Sequence, residues 1–277
     1  EPGGRARGRR GTPALRPRKA GAAAMSDQAL AQETDGAGPR LVLVHGFTQT
    51  ARCWGPVATD LAGDHEVVRV DAPGHGGSAP VAADLAATAD LLATFGPATF
   101  VGYSMGGRMC LETALRHPHA VEALVLISAT AGIEDEEERA DRRASDEALA
   151  ERIEAAGVDA FLDHWLSLPL FTGLPPEGRF DAERRTNTAA GLAASLRLAG
   201  TGTQQPSWGR LAELSMPVLV VAGADDAKFT ALAHRLADAI GANATLVVVP
   251  GAGHTTHLEA PDAFLAALRP WLAAHGR

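Results

Sequence analysis

The sequence predicts an α/β protein in which helices cover both faces of a mainly parallel sheet and a helical segment interrupts the alternation. Three observations lead to this prediction. From Arg40 onward, short apolar runs alternate with stretches of helical periodicity, as in parallel strands joined by helices. A Gly-x-Ser-x-Gly motif, Gly102–Gly106, stands between one such strand and the following helix. The alternation stops between Ala129 and Leu214, where helical patterns follow one another.

The alternating parts predict six strands and five helices. The strands fall near residues 41–45, 66–71, 98–103, 121–128, 217–222 and 245–249, and the helices near 55–62, 82–95, 105–117, 227–240 and 261–274. Residues 27–39 show no strand pattern, so no N-terminal antiparallel hairpin is expected. Helical patterns also cover 134–154, 158–166 and 182–199. We therefore expect a core in two parts, residues 25–128 and 215–277, separated by a helical lid at 129–214.

The first 24 residues differ from the rest of the chain. They hold six arginines and Lys19 against Glu1 alone, are rich in Gly, Pro and Ala, and lack apolar periodicity. Such a segment cannot bury enough apolar surface to fold, so residues 1–24 are expected to be a disordered basic extension. It contains no serine and no apolar run typical of a signal peptide.

Composition fits a globular enzyme. The 277 residues are 46% hydrophobic, enough for one large core with an insertion. No apolar run reaches the roughly 20 residues that span a bilayer, so a membrane protein is not expected. The net charge of −8 argues against general affinity for nucleic acid or anionic membranes. The two cysteines, Cys53 and Cys110, lie in different predicted elements, which favours a reducing, cytoplasmic location.

Ser104 is the candidate reactive residue. Its flanking glycines allow the backbone to turn sharply from strand into helix, which holds the hydroxyl in a strained and exposed position. This setting is the nucleophile elbow of the α/β-hydrolase fold. A serine at such a strained position costs stability, so a functional role is favoured over that of a turn residue.

A serine hydroxyl needs a histidine to take its proton and an acid to orient that histidine. In this fold the chain order is Ser, acid, His. Asp226 follows the strand near 217–222 and His254 follows the strand near 245–249, so both are expected beside Ser104. Asp225 is the competing acid, because one residue of loop slack would exchange the two. The alternative reading makes Asp226 a helix N-cap and His254 a loop residue.

Two backbone amides are expected to form an oxyanion hole. Met105 follows the serine and supplies the first. Phe47 lies in the loop after the first central strand and is the choice for the second. His45, in the same loop, is expected to bind neighbouring backbone and not to take part in catalysis.

From about Arg40 to Leu272, the chain resembles the 2-succinyl-6-hydroxy-2,4-cyclohexadiene-1-carboxylate synthases of menaquinone biosynthesis. The elbow and the Gly-His-Thr-Thr-His-Leu-Glu segment are shared with many hydrolases, whereas Asp-Ala-Lys-Phe at 226–229 and the arginines of the lid are more specific. The residues that match the family's motifs are Gly102–Arg108, Glu138–Arg143 with Asp146, His164–Trp165, Arg185–Asn187, Asp226–Phe229 and Gly253–Glu259.

The resemblance implies a lyase that eliminates pyruvate from a tricarboxylate small molecule. Fixed cations suit such a substrate, and the bidentate guanidinium suits carboxylates better than lysine does. By resemblance, Arg108, Arg142 and Arg185 are the basic positions of the site, and Tyr103 and Trp165 line the ring pocket. Arg108 near a helix N-terminus is electrostatically unfavourable, which favours a role in binding. Lys228 is given no catalytic role, since it could pair with a neighbouring acid.

In the implied mechanism, His254 and Asp226 maintain Ser104 as a base, and no acyl-enzyme forms. No metal or organic cofactor is expected, because His254 and His257 have no third ligand at a spacing typical of zinc. One alternative is a serine esterase or carbon–carbon bond hydrolase that uses the same triad. Another is a ligand receptor that retains the triad without turnover. The oligomeric state is left open.

Overall fold

The structure, a computed structural model, describes Gly3 and residues 29–276. Almost all of the basic extension predicted at 1–24 therefore lies outside the described residues. Seven strands form a single sheet in the order β1-β3-β2-β4-β5-β6-β7. The strands are β1 (Gln32–Asp35), β2 (Arg40–Val44), β3 (Glu66–Val70), β4 (Ala98–Tyr103), β5 (Val121–Ile127), β6 (Val218–Gly223) and β7 (Ala244–Val249).

Six of these strands correspond to the predicted ones, and they pair in parallel. The expectation that residues 27–39 hold no strand is wrong, because β1 pairs antiparallel with β3. Its sequence, Gln-Glu-Thr-Asp, is polar and largely exposed at the edge of the sheet. An edge strand with no buried face carries no apolar alternation, and this is why the pattern did not reveal it.

The core lies on both faces of the sheet. Successive residues of a strand point to opposite faces, so Val42 and Val44 belong to one buried cluster, whereas Leu41 and Leu43 belong to the other. All four side chains are fully buried. Strands that bury both faces read as continuous apolar runs, which explains why the central strands were visible in the sequence.

Nine α-helices occur among the described residues. Of the core helices, α2, α3 and α7 pack on the face with Val42, and α1 and α9 on the face with Leu41. In chain order the helices are α1 (Gly55–Leu61), α2 (Leu85–Ala93), α3 (Met105–Arg116), α4 (Glu136–Trp165), α5 (Asp181–Arg184), α6 (Ala189–Ala199), α7 (Ala227–Ile240), α8 (Thr256–Glu259) and α9 (Pro261–His275).

Helices α4 to α6 are inserted between β5 and β6. Gly157 breaks α4 with non-helical angles, φ 80° and ψ 167°, at the boundary between the two helical stretches predicted there. The third predicted stretch, 182–199, divides into α5 and α6, because Thr188 leaves the helical conformation and caps α6 through the amide of Gly191. The helical insertion and the parallel sheet confirm the predicted α/β-hydrolase fold class. In the described part of the chain, no helix combines the length and apolar character needed to cross a bilayer.

Candidate active site

Ser104 lies at the sharp turn between β4 and α3. Its backbone adopts φ 51° and ψ −107°, outside the region that side-chain-bearing residues prefer. The turn depends on close backbone approach: a Cβ on Gly106 would lie 2.1 Å from the carbonyl oxygen of Val44, and one on Gly102 would lie 2.5 Å from that of Gly106. The glycines therefore fix the serine against the sheet, where its side chain stays partly accessible.

The structure brings Ser104, His254 and Asp226 into one hydrogen-bonded line. His254 Nε2 lies 3.1 Å from Ser104 Oγ, and His254 Nδ1 lies 2.9 Å from Asp226 Oδ2. The three residues follow β4, β7 and β6, whose carboxyl ends meet at the same edge of the sheet. Asp225, the competing acid, is exposed and makes no side-chain contact with the histidine among the described residues.

The carboxyl group of Asp226 is held in its ionised form. Burial acts to raise its pKa, but hydrogen bonds from His254 and from the amide of Phe229 outweigh burial, and the pKa lies below its ordinary value. An ionised acceptor fixes the proton of His254 on Nδ1, which leaves Nε2 free to accept the proton of Ser104. The arrangement can therefore use the serine oxygen as a base or as a nucleophile.

The amides of Phe47 and Met105 lie where the sequence predicted an oxyanion hole. Both residues line the same cavity as Ser104. Within the described residues, neither amide donates to a protein acceptor, whereas the neighbouring Gly46 amide donates to Gln49 Oε1 at 3.0 Å. Backbone donors without protein acceptors at the wall of a cavity can stabilise a developing negative charge on oxygen.

Two buried histidines hold the loop that carries Phe47. The amide of Ala72 donates to His45 Nε2 at 3.0 Å, and the amide of Thr48 donates to His75 Nε2 at 3.2 Å. Burial lowers the pKa of His45 to about 4 and that of His75 to about 3, so both rings are neutral at physiological pH. The contacts of His45 thus agree with the structural role expected for it.

A cavity of about 320 Å³ opens above the serine, between the core and the inserted helices. Four of the five predicted substrate-binding residues line it, and it also exposes two cations that were not assigned to binding, Arg184 and Lys228. The lining includes Phe47, Tyr103, Ser104, Met105, Arg108, Arg142, Trp165, Phe171, Arg184, Lys228, Phe229 and His254.

Arg108 is a buried cation held by neutral partners. Its Nη1 donates to Gln204 Oε1 at 3.2 Å, and its Nη2 donates to the carbonyl of Ala199 at 2.8 Å. Burial, aided by nearby Arg142, lowers the pKa of Arg108 to about 10, which still leaves it charged at neutral pH. Arg142 differs from Arg108 in having a carboxylate partner, because its Nε donates to Asp146 Oδ1 at 2.8 Å.

The structure places Arg185 outside the cavity, unlike the other four residues that the sequence assigned to substrate binding. Its guanidinium pairs with Asp159 at 2.8 Å and Asp163 at 2.6 Å on the surface. Arg184 lines the cavity instead: it is 1% exposed and donates to Thr48 Oγ1 and to the carbonyl of Arg179. Consecutive residues of a helical turn point about 100° apart, so only one of two adjacent arginines can face inward.

Nothing in the sequence separates Arg184 from the adjacent Arg185, and the contacts of Asn187 help to fix this turn. Its Nδ2 donates to the carbonyl of Thr48 at 2.8 Å and to the carbonyl of Arg184 at 2.9 Å. These bonds hold the end of α5 against the loop of Thr48.

Two aromatic rings complete the walls of the cavity. Tyr103 packs 5.5 Å from the ring of His254, and its hydroxyl lies 3.0 Å from Thr255 Oγ1. Burial raises the pKa of Tyr103, so the phenol remains neutral. Trp165 packs 5.6 Å from the ring of Phe47 and forms the lid side of the cavity. The cavity thus combines apolar walls with cations, which suits a ring that carries anionic groups.

No group of three or more His, Cys, Asp or Glu side chains within the described ranges is arranged to hold a metal ion. The two cysteines are free and buried. The reactive groups of the cavity are therefore the serine, the histidine, the two free amides and the cations.

Residues 41–267 match the alpha/beta hydrolase family. The chain is 32% identical over 239 residues to the 2-succinyl-6-hydroxy-2,4-cyclohexadiene-1-carboxylate synthase of Escherichia coli O1:K1, covering 83% of this chain and 92% of that protein. A Bacillus subtilis (strain 168) protein assigned as the same synthase is 34% identical over 252 residues, covering 85% and 91% of the two chains.

The solved structures that share this fold include MenH, which is a synthase of the same name, and an esterase. MenH from S. aureus superposes with a TM-score of 0.83 at 30% identity, over 88% of this chain and 98% of that one. A thermophilic esterase from Thermogutta terrifontis, with malate bound, gives a TM-score of 0.79 at 25% identity, over 90% and 94%. The predicted family is confirmed: the chain belongs to the α/β-hydrolase family and, within it, to the 2-succinyl-6-hydroxy-2,4-cyclohexadiene-1-carboxylate synthases.

Proposed function

We propose that the protein is a lyase of menaquinone biosynthesis that eliminates pyruvate from 2-succinyl-5-enolpyruvyl-6-hydroxy-3-cyclohexene-1-carboxylate. The product is 2-succinyl-6-hydroxy-2,4-cyclohexadiene-1-carboxylate. The observation that carries the proposal is the presence of Arg108 and Arg184, two buried cations without carboxylate partners among the described residues, in the cavity that contains Ser104. A neutral ester offers nothing to balance such charges, whereas the tricarboxylate does.

The proposed reaction begins with Ser104 as the base. His254, oriented by Asp226, takes the hydroxyl proton, and the serine oxygen removes the ring proton adjacent to the succinyl ketone. The electron pair of that C–H bond shifts through the ring double bond, and the C–O bond to the enolpyruvyl group breaks. The proton returns through His254 to the departing enolpyruvate, which becomes pyruvate. No covalent bond to the serine forms.

The remaining groups of the cavity bind the substrate and stabilise the charge that develops on it. The amides of Phe47 and Met105 donate to the ketone oxygen as it gains enolate character. Arg108 and Arg184 bind carboxylates, Arg142 raises the positive potential from the lid, and Tyr103 and Trp165 hold the ring by apolar contact (all line the cavity). A small-molecule substrate and a cytoplasmic location complete the proposal, the latter supported by Cys53 and Cys110, which are buried free thiols.

The direct test is pyruvate release from the pathway intermediate by the purified protein. We expect stoichiometric pyruvate and a new conjugated diene absorbance. An esterase or carbon–carbon bond hydrolase remains the competing function, favoured by the likeness to the Thermogutta esterase. It predicts turnover of neutral esters, with an acyl-enzyme burst, and no pyruvate. A receptor would turn over neither substrate.

A further inference from the structure

Lys228 is a cavity cation to which the proposed mechanism gives no role. It is the second residue of α7, in the Asp-Ala-Lys-Phe segment, and it lines the cavity beside Phe229 and His254. Of the 25 basic residues of the chain, only Lys228 and Lys19 are lysines, and Lys19 lies outside the described residues. A chain that otherwise uses arginine therefore places its one described lysine at the cavity.

The charge of Lys228 acts on Asp226 without a direct contact, and it helps to lower the pKa of that carboxyl group. In the described part of the chain, no ion pair joins it to a carboxylate, and neighbouring Asp226 is already bonded to His254 and to the amide of Phe229. A cation in the first turn of a helix also faces the positive end of the helix dipole, which is unfavourable. A direct ion pair, the pairing considered from the sequence, is thus not found among the described residues, and a bound anion would offset the unfavourable position of the charge.

The cavity cations can be matched to the anionic groups of the proposed substrate. Arg142 is already bonded to Asp146, which leaves Arg108, Arg184 and Lys228 without a carboxylate partner among the described residues. The substrate carries three carboxylates, on the ring, on the succinyl chain and on the enolpyruvyl group. The number of cavity cations without a direct ion pair among the described residues therefore equals the number of carboxylates on the substrate.

Arg108, Arg184 and Lys228 differ in how deeply their side chains are buried. Arg108 is 6% and Arg184 is 1% exposed, and both are fixed by hydrogen bonds to neutral groups. Lys228 is exposed and has no such bonds within the described residues, so its ammonium lies at the mouth of the cavity on a flexible stem. The group that leaves the ring must depart through the mouth, and a mobile, solvated cation releases an anion more readily than a buried guanidinium does.

We propose that Lys228 binds the carboxylate of the enolpyruvyl group and so provides the subsite of the leaving pyruvate. The inference rests on the proposed function. Lys228 is a binding residue in this scheme: it moves no proton, and the Ser104–His254–Asp226 line is complete without it. Its loss should therefore weaken binding of the substrate and of pyruvate more than it lowers kcat.

The test compares Lys228→Ala and Lys228→Arg with wild type. Arg235→Ala is the matched control, because Arg235 lies on the same helix but pairs with Glu134 and stacks on Trp208 outside the cavity. We expect Lys228→Ala to raise KM for pyruvate release about ten-fold, with kcat within about three-fold of wild type, as for one lost charge-assisted contact. Lys228→Arg should restore most of the affinity, and Arg235→Ala should change KM little.

Inhibition by small carboxylates shows which carboxylate of the substrate Lys228 binds. Pyruvate, a product of the proposed reaction, and succinate, which resembles the succinyl chain, are added separately as inhibitors of each variant. We expect Lys228→Ala to weaken inhibition by pyruvate about ten-fold while inhibition by succinate is retained. An unchanged KM in Lys228→Ala, or an equal loss for both inhibitors, would overturn the proposal.

A second readout does not depend on turnover. Lys228 is the only described lysine, so an amine-reactive reagent can be followed at this side chain by mass spectrometry. Pyruvate should slow its modification more than succinate does, and equal protection, or none, would contradict the subsite. If the wild type released no pyruvate from the intermediate, the proposed function would fall, whereas the labelling result would still decide whether Lys228 binds the smaller anion.

Discussion

The core and the lid hold their parts of the active site in different ways. Ser104, Asp226 and His254 follow β4, β6 and β7, strands of one sheet whose side chains are buried in two large apolar clusters. Arg184 and Trp165 belong to the inserted helices, which are held by two small clusters and by surface ion pairs. The groups proposed for catalysis thus all stand on the sheet core, whereas those proposed for recognition are divided between the core and the inserted helices.

From this difference we expect substitutions in different parts of the site to change different kinetic parameters. A proton transfer needs heavy atoms positioned to within a fraction of an ångström, which a parallel sheet with fixed register provides. Recognition of carboxylates by long cationic side chains tolerates more movement. Substitutions at the Ser104–His254–Asp226 line should therefore act mainly on kcat, and those of the cationic side chains around the cavity mainly on KM.

The largest expected effect is that of Ser104→Ala. If the serine oxygen is the base, kcat for pyruvate release should fall at least about a hundred-fold, because no other group of the cavity replaces it. The fold should persist, since the substitution leaves the glycines of the turn in place. Near-normal pyruvate release by a folded variant would remove Ser104 from the mechanism.

The second prediction concerns the two adjacent acids. Asp226→Asn should lower kcat by about a hundred-fold or more, because an amide cannot hold the same tautomer of His254. Asp225→Asn, which changes an exposed neighbour, should stay within about three-fold. The pair is compared by steady-state kinetics, and a reversed order would show that the acid has been assigned to the wrong residue.

The adjacent arginines of the lid give the third prediction. Arg184→Leu should lower kcat/KM by about ten- to a hundred-fold, the cost of one charge-assisted contact, mainly through KM. Arg185→Leu removes only surface ion pairs and should change kcat/KM by less than about two-fold. Circular dichroism checks that both variants are folded. Equal losses would mean that these arginines stabilise the lid and do not bind the ligand, and the esterase would become the better hypothesis.

Acid should destabilise the core through its buried histidines. Burial lowers the pKa of His45 to about 4 and those of His75 and His257 to about 3, against about 6.5 in the unfolded chain. The unfolded state therefore binds more protons below about pH 6.5, so stability is present above that pH and is lost as pH falls towards the folded values. Each histidine contributes at most about 1.4 kcal/mol per pH unit.

Urea unfolding at about pH 7.5, 6 and 5 measures this slope. His257→Gln should lower the number of protons taken up on unfolding at acid pH by about one, whatever the substitution does to the absolute free energy of unfolding. A free energy of unfolding that stays flat over this range would show that the histidines are not buried as neutral rings.

The smallest effect is expected on the outer face of the lid. Arg197 pairs with Glu147 at 2.8 Å and with Glu154 at 2.6 Å, in contact with solvent. Arg197→Gln should change kcat/KM by less than about two-fold, because exposed ion pairs are screened and contribute little. A large loss of activity would show that the lid depends on surface charge for its position over the cavity.

The sequence was most informative where the backbone alone determines the position of a side chain. Apolar runs located the central strands, and a residue that follows a parallel strand lies at the same edge of the sheet as its neighbours, so Ser104, Asp226 and His254 could be grouped. The edge strand β1 was missed because four polar, largely exposed residues carry no pattern. Its pairing with β3 is decided by backbone hydrogen bonds, to which most side chains contribute little.

The lid was harder to predict for a geometric reason. A shift of one residue along a helix rotates the side chain by about 100°, so a correct helix still allows an incorrect residue to be chosen. The lining of the cavity includes Arg184 where the sequence assigned Arg185, and this difference is of that kind. Lys228 was judged from its acidic neighbours in the sequence, whereas the structure shows that Asp226 is occupied by His254.

The break at Gly157 gives the lid a site at which it can change length. The backbone there is non-helical, and a Cβ would meet no atom within 4 Å. Insertions into α4 at this point would enter open space, between the half that carries Arg142 and the half that carries Trp165. A change in chain length there should therefore alter the reach of the two halves, and with it the range of ligands accepted, while every strand of the sheet stays in register.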